Sequence, residues 1–150
     1  MRIEGLRPAC AGDLATIQAL VAAAYGPYVA AINVRPGPMD DDYAAAIAAG
    51  QVQVVDRGGA LAGLLVLIPQ ADAMLLDNIA TDPLLHGQGL GRALMDLAVE
   101  QARAAGYARL RLYTHERMVR NQAIYARAGF AETHRVTENG LHRVYMEKPL

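Results

Sequence analysis

Asp77-Asn78-Ile79-Ala80-Thr81-Asp82-Pro83-Leu84-Leu85-His86-Gly87-Gln88-Gly89-Leu90-Gly91-Arg92 is the stretch on which the fold turns. Residues 74–81 read as a strand, Asp82-Pro83 as a turn, and residues 90–105 as a long helix. Between strand and helix, glycine falls at the alternate positions 87, 89 and 91. Glycine lets a backbone approach a ligand closely and adopt angles closed to other residues. Its amides, beside a helix amino terminus, form an anion site. Arg92 agrees with that reading: a cation in the first turn opposes the helix dipole unless a polyphosphate sits there. The plainer alternative is a glycine turn that only packs helix against sheet, with Arg92 in solvent. Spacing excludes two phosphate motifs. A GxGxxG fingerprint starting at Gly87 or Gly89 needs glycine where Arg92 and Leu94 stand, and a P-loop needs Gly-Lys-Ser/Thr, whereas Lys148 is the only lysine of the chain.

Outward from this segment the pattern is regular. On the long helix Leu90, Leu94, Leu97, Ala98 and Gln101 share one face, while Arg92, Asp96, Glu100 and Arg103 lie largely on another; Gly106 ends it. Residues 109–114 alternate, with Leu110 and Leu112 on one side and Arg109, Arg111 and Tyr113 on the other. Residues 119–128 form a shorter helix closed by Gly129, and strands 131–136 and 141–147 turn at Glu138-Asn139-Gly140. Upstream, strands 52–56 and 61–68 flank Arg57-Gly58-Gly59-Ala60 as a hairpin. Residues 3–7 read as a first strand closed by Pro8. Asp13 then caps a helix carrying Leu14, Ile17, Leu20, Val21 and Ala24. Tyr25-Gly26-Pro27-Tyr28 is expected to end or break that helix, and Arg35-Pro36-Gly37-Pro38-Met39 to be a loop. Asp40-Asp41-Asp42 start a short helix to residue 49, stopped by Gly50. The order β-α-α-β-β-β-α-β-α-β-β predicts an α+β fold with one central mixed sheet of about six to seven strands and about four flanking helices.

The 150 residues suit a single domain over 1–150. Apolar residues make up 53%, much of it alanine, so the core is one of small and branched aliphatics with Phe130 and seven tyrosines supplying the rings. A net charge of −1 argues against a nucleic-acid partner. Arginine-over-lysine, alanine-rich usage points to a GC-rich bacterial genome. Cys10, the only cysteine, has no partner for a disulfide or a Cys-based metal site and reads as a small buried or half-buried residue. No two histidines have metal-ligand spacing with a carboxylate, so no metal is expected. Arg2 and Glu4 are followed by no long apolar run, and residues 64–68, the longest such run, are too short for a bilayer. A soluble cytoplasmic protein without a membrane partner is expected; a homodimer is left open.

At this point the chain resembles the GNAT superfamily of N-acetyltransferases. Its (Arg/Gln)-x-x-Gly-x-(Gly/Ala) signature reads here His86-Gly87-Gln88-Gly89-Leu90-Gly91, after Ile79-Ala80-Thr81-Asp82-Pro83. The later Asn121-x-x-x-Tyr125-x-x-x-Gly129-Phe130 is similar to the family's helix-and-turn motif, and the element order resembles the family fold along nearly the whole chain. The resemblance implies acetyl-coenzyme A as co-substrate. It implies that the amides of Gly87, Gln88, Gly89, Leu90, Gly91 and Arg92 bind the pyrophosphate, with the His86 side chain at the motif's first position beside it, and that Ile79, Ala80 and Thr81 pair with the pantetheine arm. An amide of that strand would polarise the acetyl carbonyl. His86 stands where the family carries arginine or glutamine. Met118 stands where the commoner second motif has its asparagine, with Asn121 one helical turn before Tyr125 instead.

Acetyl transfer to an amine poses two proton problems. A lysine-like amine, pKa about 10.4, must lose a proton before it attacks. The leaving thiolate, pKa about 8.5 if it resembles cysteine, gains from a donor. The resemblance puts Tyr125 in the donor's role; the alternative is a core-edge ring on an amphipathic helix. Asp77, His115 and Glu116 are the candidate bases, beside a water relay with no dedicated base. His134 and His142, on late strands, read as structural. Tyr25, Tyr28, Met39 and Tyr43 are expected to build the amine pocket, or to pack the first two helices. The Asp40–42 run would greet a cationic amine or simply favour a helix start. The sequence thus reads as a transferase acting on a primary amine of a small molecule, peptide or protein. Its rivals are a non-catalytic acyl-CoA-binding regulatory module and an acyltransferase using a longer acyl-CoA.

Overall fold

In a computed structural model, which describes residues 2–150, the strands are β1 (Leu6–Pro8), β2 (Val52–Arg57), β3 (Ala60–Pro69), β4 (Met74–Thr81), β5 (Arg109–His115), β6 (Ala131–Glu138) and β7 (Leu141–Pro149). The helices are α1 (Leu14–Ile32), α2 (Tyr43–Ala48), α3 (Leu90–Ala104) and α4 (Val119–Arg127), with 3-10 turns at Ala11–Asp13, Gly37–Asp40 and Pro83–Leu85. The strands form one 7-stranded sheet in the order β1-β2-β3-β4-β5-β7-β6. Every pairing is antiparallel except that of β4 with β5. This is the mixed α+β sheet that the order of elements predicts.

Each face of the sheet has its own core. On one, α3 buries Leu90, Leu94, Leu97, Ala98 and Ala102 against Leu65, Leu67, Met74, Leu76, Leu110 and Leu112. On the other, Ile17, Leu20 and Val21 of α1 and Tyr43 of α2 cover Val52, Val54, Leu64, Val66 and Ala80. Each fully buried leucine contributes about 1.5–3 kcal/mol by leaving water. Gly63 lets α3 sit close, since a Cβ there would lie 3.1 Å from Leu94 Cδ1 and 3.2 Å from Leu90 Cδ2.

Strand β4 changes sides along its length. Val66 pairs with Asn78 but Leu67 with Leu76, so Asp77 is an extra, bulged residue. Strict alternation would put residues 74, 76, 78 and 80 on one face. The bulge leaves Met74 and Leu76 under α3 and moves Ala80 to the α1 side, where Asn78 meets Tyr43.

Several sequence expectations need correction. The first strand begins at Leu6, not residue 3, because Gly5 turns with φ +82 where a Cβ would collide with Asp56 O at 2.1 Å. Pro8 is the last residue of β1, an edge strand, where its missing donor costs nothing. The helix does not end at Tyr25–Tyr28: α1 runs through Gly26 and Pro27 to Ile32. Pro27 and Ala23, whose carbonyl the proline ring frees, are both exposed, so water takes up the lost bond. Tyr25 and Tyr28, either side of the proline, are tied to Asn78 and Asn121. Asp13 makes no capping bond to α1. Its carboxylate accepts from Cys10 N at 2.8 Å and from both terminal nitrogens of Arg7, at 2.8 and 2.9 Å, which hold it well below the usual carboxylate range. Cys10 itself is exposed. Residues 64–68 are not the most membrane-like run either: Ala11–Ile32 is long and apolar enough to cross a membrane by length and composition alone. That apolarity is largely alanine, and the large side chains Ile17, Leu20 and Val21 lie in the second core.

Candidate active site

Strands β4 and β5 pair only at Met74↔Leu110 and Leu75↔Arg111, then diverge. β3 holds β4 along its length and β7 holds all of β5, so neither strand can close the gap. The gap opens a cleft to solvent. Asp77, Asn78 and Ile79 of β4 and Tyr113, Thr114 and His115 of β5 form its sides. Tyr25 of α1, the Pro36-Gly37-Pro38 turn, Asn121 and Tyr125 of α4 and Arg143 of β7 complete the wall.

The α1 side of the cleft is a side-chain network. Tyr25 OH donates to Asn78 Oδ1 at 2.5 Å and lies 3.3 Å from Ile79 O. Asn78 Nδ2 donates to Tyr43 OH at 2.9 Å, and Tyr43 OH donates to Pro38 O at 2.5 Å. Burial pushes the Tyr25 hydroxyl well above its ordinary pKa. Tyr113 OH donates to Asp77 Oδ1 at 3.2 Å, and the Arg143 guanidinium lies 4.2 Å from the centre of the Tyr113 ring. The three acidic residues 40–42 part company. Asp40 pairs with Arg35 at 2.8 Å, and Asp42 caps α2 by accepting from Ala45 N at 3.0 Å. Asp41 turns inward against Asp77. Its Oδ2 is buried with no hydrogen-bond partner among the described residues. Burial and the charge of Asp77 push the Asp41 carboxyl up to about 7, because two carboxylates in contact resist ionising together. His115 Nδ1 accepts from Arg117 N at 3.0 Å, and burial lowers its pKa. The neutral ring therefore carries its proton on Nε2, a tautomer assigned from that bond, and presents a donor to its surroundings.

The α3 side offers backbone. Gly87 and Gly89 have φ +87 and +81, and a Cβ at either would meet nothing within 4 Å. Glycine is required there by conformation, not by crowding. The first bond of α3 is Ala93 N to Gly89 O at 3.0 Å, so the amides of Leu90, Gly91 and Arg92 precede it, and no side chain caps the helix. His86, Gln88 and Arg92 are exposed, whereas the Leu90 side chain is core. Past Leu75 the edge of β4 that faces β5 carries no strand. Tyr125 packs edge-on against Phe130, 6.1 Å between ring centres, and burial pushes its phenol up to about 12. Its hydroxyl has no hydrogen-bond partner among the described residues and opens to the cleft.

Of the residues singled out in the sequence, Tyr25, Asp77, Ile79, His115, Asn121 and Tyr125 meet in this cleft. Ala80 is buried in the second core, leaving only its backbone for a ligand. Glu116 is exposed and outside the cleft wall. The expected amine pocket is redrawn. Tyr43, 3% exposed, props Asn78 and Pro38 from behind, Met39 lines a neighbouring hollow with Asp41, and Tyr28 reaches Asn121 Oδ1 at 3.4 Å. Sequence reading missed Asn78 and Arg143, and it took residues 40–42 as one run without singling out Asp41. A lone asparagine in an apolar strand was a usable signal for the first; nothing local marked the others.

Residues 18–130 match the acetyltransferase (GNAT) family. Over 73 residues, 49% of this chain and 25% of that protein, the sequence is 37% identical to the mycothiol acetyltransferase of Beutenbergia cavernae, so the match spans a quarter of that relative's length. The PaiA N-acetyltransferase from Thermoplasma acidophilum, in complex with coenzyme A, superposes over 100% of both chains with a TM-score of 0.80 at 19% identity. The ribosomal-protein-S18-alanine N-acetyltransferase from Escherichia coli gives 0.70 at 21% identity, over 98% of this chain and 94% of that one. At these identities the structural likeness is one of fold.

Proposed function

The chain belongs to the GNAT family of acetyltransferases, and from that premise we propose that it transfers an acetyl group from acetyl-coenzyme A directly to a primary amine. The observation that carries this reading is the cleft where β4 leaves β5, flanked by an uncapped glycine loop on one side and a polar pocket on the other. Acetyl-coenzyme A supplies an activated acyl thioester. The Gln88 amide donates to Leu85 O at 3.3 Å, but those of Gly87, Gly89, Leu90, Gly91 and Arg92 suit its pyrophosphate, the vacant edge of β4 at Ile79, Ala80 and Thr81 suits the pantetheine arm as an added strand, and Asn121 borders that path.

Tyr125 has a free hydroxyl, protonated at neutral pH, facing the cleft. Against a thiolate of pKa about 8.5, complete proton transfer from so weak an acid is uphill. Its contribution begins as a hydrogen bond that stabilises the departing sulfur. Asp77, at the bulge, accepts the proton of the attacking nitrogen, which becomes acidic as the N–C bond forms, and Asp41 beside it shares that proton. An amine that enters as an ammonium first gives up one proton to water through the open cleft; the carbonyl carbon then gains nitrogen and loses sulfur, the second proton passes from nitrogen to the carboxyl pair, and the sulfur departs as thiolate. His115, a donor in this tautomer, suits orientation of the acceptor better than proton removal.

Thiol release from acetyl-coenzyme A, measured against a library of amino acids, peptides, polyamines and aminoglycosides, tests the proposal. The expected outcome is amine-dependent release with an N-acetylated product by mass spectrometry. Tight acetyl-coenzyme A binding with no amine-dependent release would make the chain a binding module. Faster turnover of propionyl- or succinyl-coenzyme A would make it an acyltransferase of another class.

A further inference from the structure

The acceptor side of the cleft holds a cation as well as carboxyls. Arg143 stands opposite His115 in the β5–β7 register and reaches over the Tyr113 ring, with its side chain only 14% exposed. Nη1 donates to Glu138 Oε2 at 2.8 Å. Tyr145, bonded to Glu138, also lies against the guanidinium, but no described residue accepts from Nε or Nη2 within close hydrogen-bond distance, and Arg143 lines the cleft. A half-buried guanidinium with spare donors is costly unless something accepts from them. Even paired with Glu138 through one nitrogen, a guanidinium in the wall also repels the ammonium that an acetyltransferase of amines must admit. Both difficulties vanish if the acceptor brings an anion of its own.

Resting on the acetyltransferase reading, we propose that the acceptor is an amine that also carries a carboxylate, an amino acid or a compact relative, whose carboxylate is held by Arg143 while its nitrogen faces Asp77. Tyr113 sets the spacing: Arg143 lies on its ring face, and its hydroxyl bonds Asp77. The two charged ends therefore flank one tyrosine side chain, which fits a short zwitterion better than an extended polycation. The planar fork of guanidinium donors matches a carboxylate, where the point charge of lysine would not. Gly37 in the roof leaves room, since a Cβ there would lie 3.4 Å from Arg143 Nη2. Polyamines and aminoglycosides would bring a further positive charge to Arg143 and meet no partner there.

The test compares amino acids with their own carboxamides, matched in side chain, by thiol release. The wild-type protein should prefer the acid by about 10- to 100-fold in kcat/KM, the range expected of a hydrogen-bonded charge. Arg143→Gln should erase the preference through KM for the acid alone, and Arg143→Lys should keep part of it. Glu138→Gln removes the ion pair at the hairpin but keeps the guanidinium, so the preference should survive. Melting-temperature shifts with acetyl-coenzyme A should be equal in all of these proteins, which also shows that they fold. Equal use of acids and amides by the wild type, equal losses on both in Arg143→Gln, or loss of the preference in Glu138→Gln would each overturn the assignment while leaving acetyl transfer standing. If acetyl-coenzyme A binds and no amine releases thiol, the acetyltransferase reading fails and this inference with it.

Discussion

On the α3 side of the cleft the molecule presents main chain: the turn at Gly87 and Gly89, the first amides of α3 and the vacant edge of β4. On the α1 side it presents side chains gathered from separate elements, Tyr25 from α1, Asp41 from the loop before α2, Asp77 and Asn78 from β4, Tyr113 from β5 and Arg143 from β7. A main-chain site tolerates exchange of side chains as long as the dihedral angles are kept. A side-chain site depends on single polar atoms and on their protonation. The first suits a ligand part common to a whole family, and the second a ligand that changes from member to member.

The largest effect should come from altering the main-chain wall where it cannot adapt. Gly89→Asp places a side chain and a negative charge at φ +81; the side chain faces open space and the left-handed backbone costs about 1–2 kcal/mol, so the protein should fold with a lowered Tm. Acetyl-coenzyme A at one hundred times its Kd should raise the wild-type Tm by about 5–10 °C, equivalent to about 2.7 kcal/mol, and leave that of the variant unmoved. A folded Gly89→Asp protein that binds normally would remove the loop from the site.

Tyr125 lies where the two walls meet. Tyr125→Phe keeps the packing against Phe130 and deletes the hydroxyl. Steady-state kcat should drop by about 10²–10⁴-fold with acetyl-coenzyme A affinity little changed. Near-normal kcat, with chemistry limiting, would make Tyr125 a packing residue.

The side-chain wall should respond to pH. Asp41 has its carboxyl raised from 3.8 to about 7 in the folded protein. Between those values the folded chain holds a proton that the unfolded chain releases, so stability declines as pH rises through the window. Tm should be lower at pH 8 than at pH 5, and each kcal/mol of the difference is worth about 2–4 °C in a chain of this size. Asp41→Asn should flatten the slope and raise Tm at pH 8. An unchanged slope would show that the Asp41–Asp77 contact does not govern it.

The smallest effect tests the tolerance of the main-chain wall. His86 is exposed and its own amide is taken by Pro83 O. His86→Ala should change the Kd for acetyl-coenzyme A by less than about 3-fold, whereas His86→Arg should preserve or tighten it by adding a phosphate-pairing charge. A large loss in His86→Ala would mean that the imbalance between the walls is smaller than drawn.

The difference between the walls is also the difference between what could and could not be read from residue order. Alternating glycines, the apolar stripe of α3, the alternation of β5 and the Asn139-Gly140 turn are local, because dihedral preference and periodicity act over a few residues. They sufficed for the mixed sheet, the flanking helices and the glycine loop. The sequence could not show that α1 continues through Pro27, because tertiary ties to Asn78 and Asn121 on either side of the proline hold it there. Nor could it show which of Asp40, Asp41 and Asp42 turns inward, since three adjacent carboxylates look alike until the sheet supplies Arg35, Asp77 and the start of α2 as their separate partners. The Tyr25–Asn78 bond spans 53 residues, and Arg143 meets Tyr113 only because β5 pairs with β7. By itself, residue order determined a fold and a glycine turn ahead of an uncapped helix, both set by short-range backbone geometry. Tertiary structure decided the chemistry of the acceptor side, because that chemistry lies in charges and hydroxyls that only long-range strand pairing and the bulge at Asp77 bring within reach of one another.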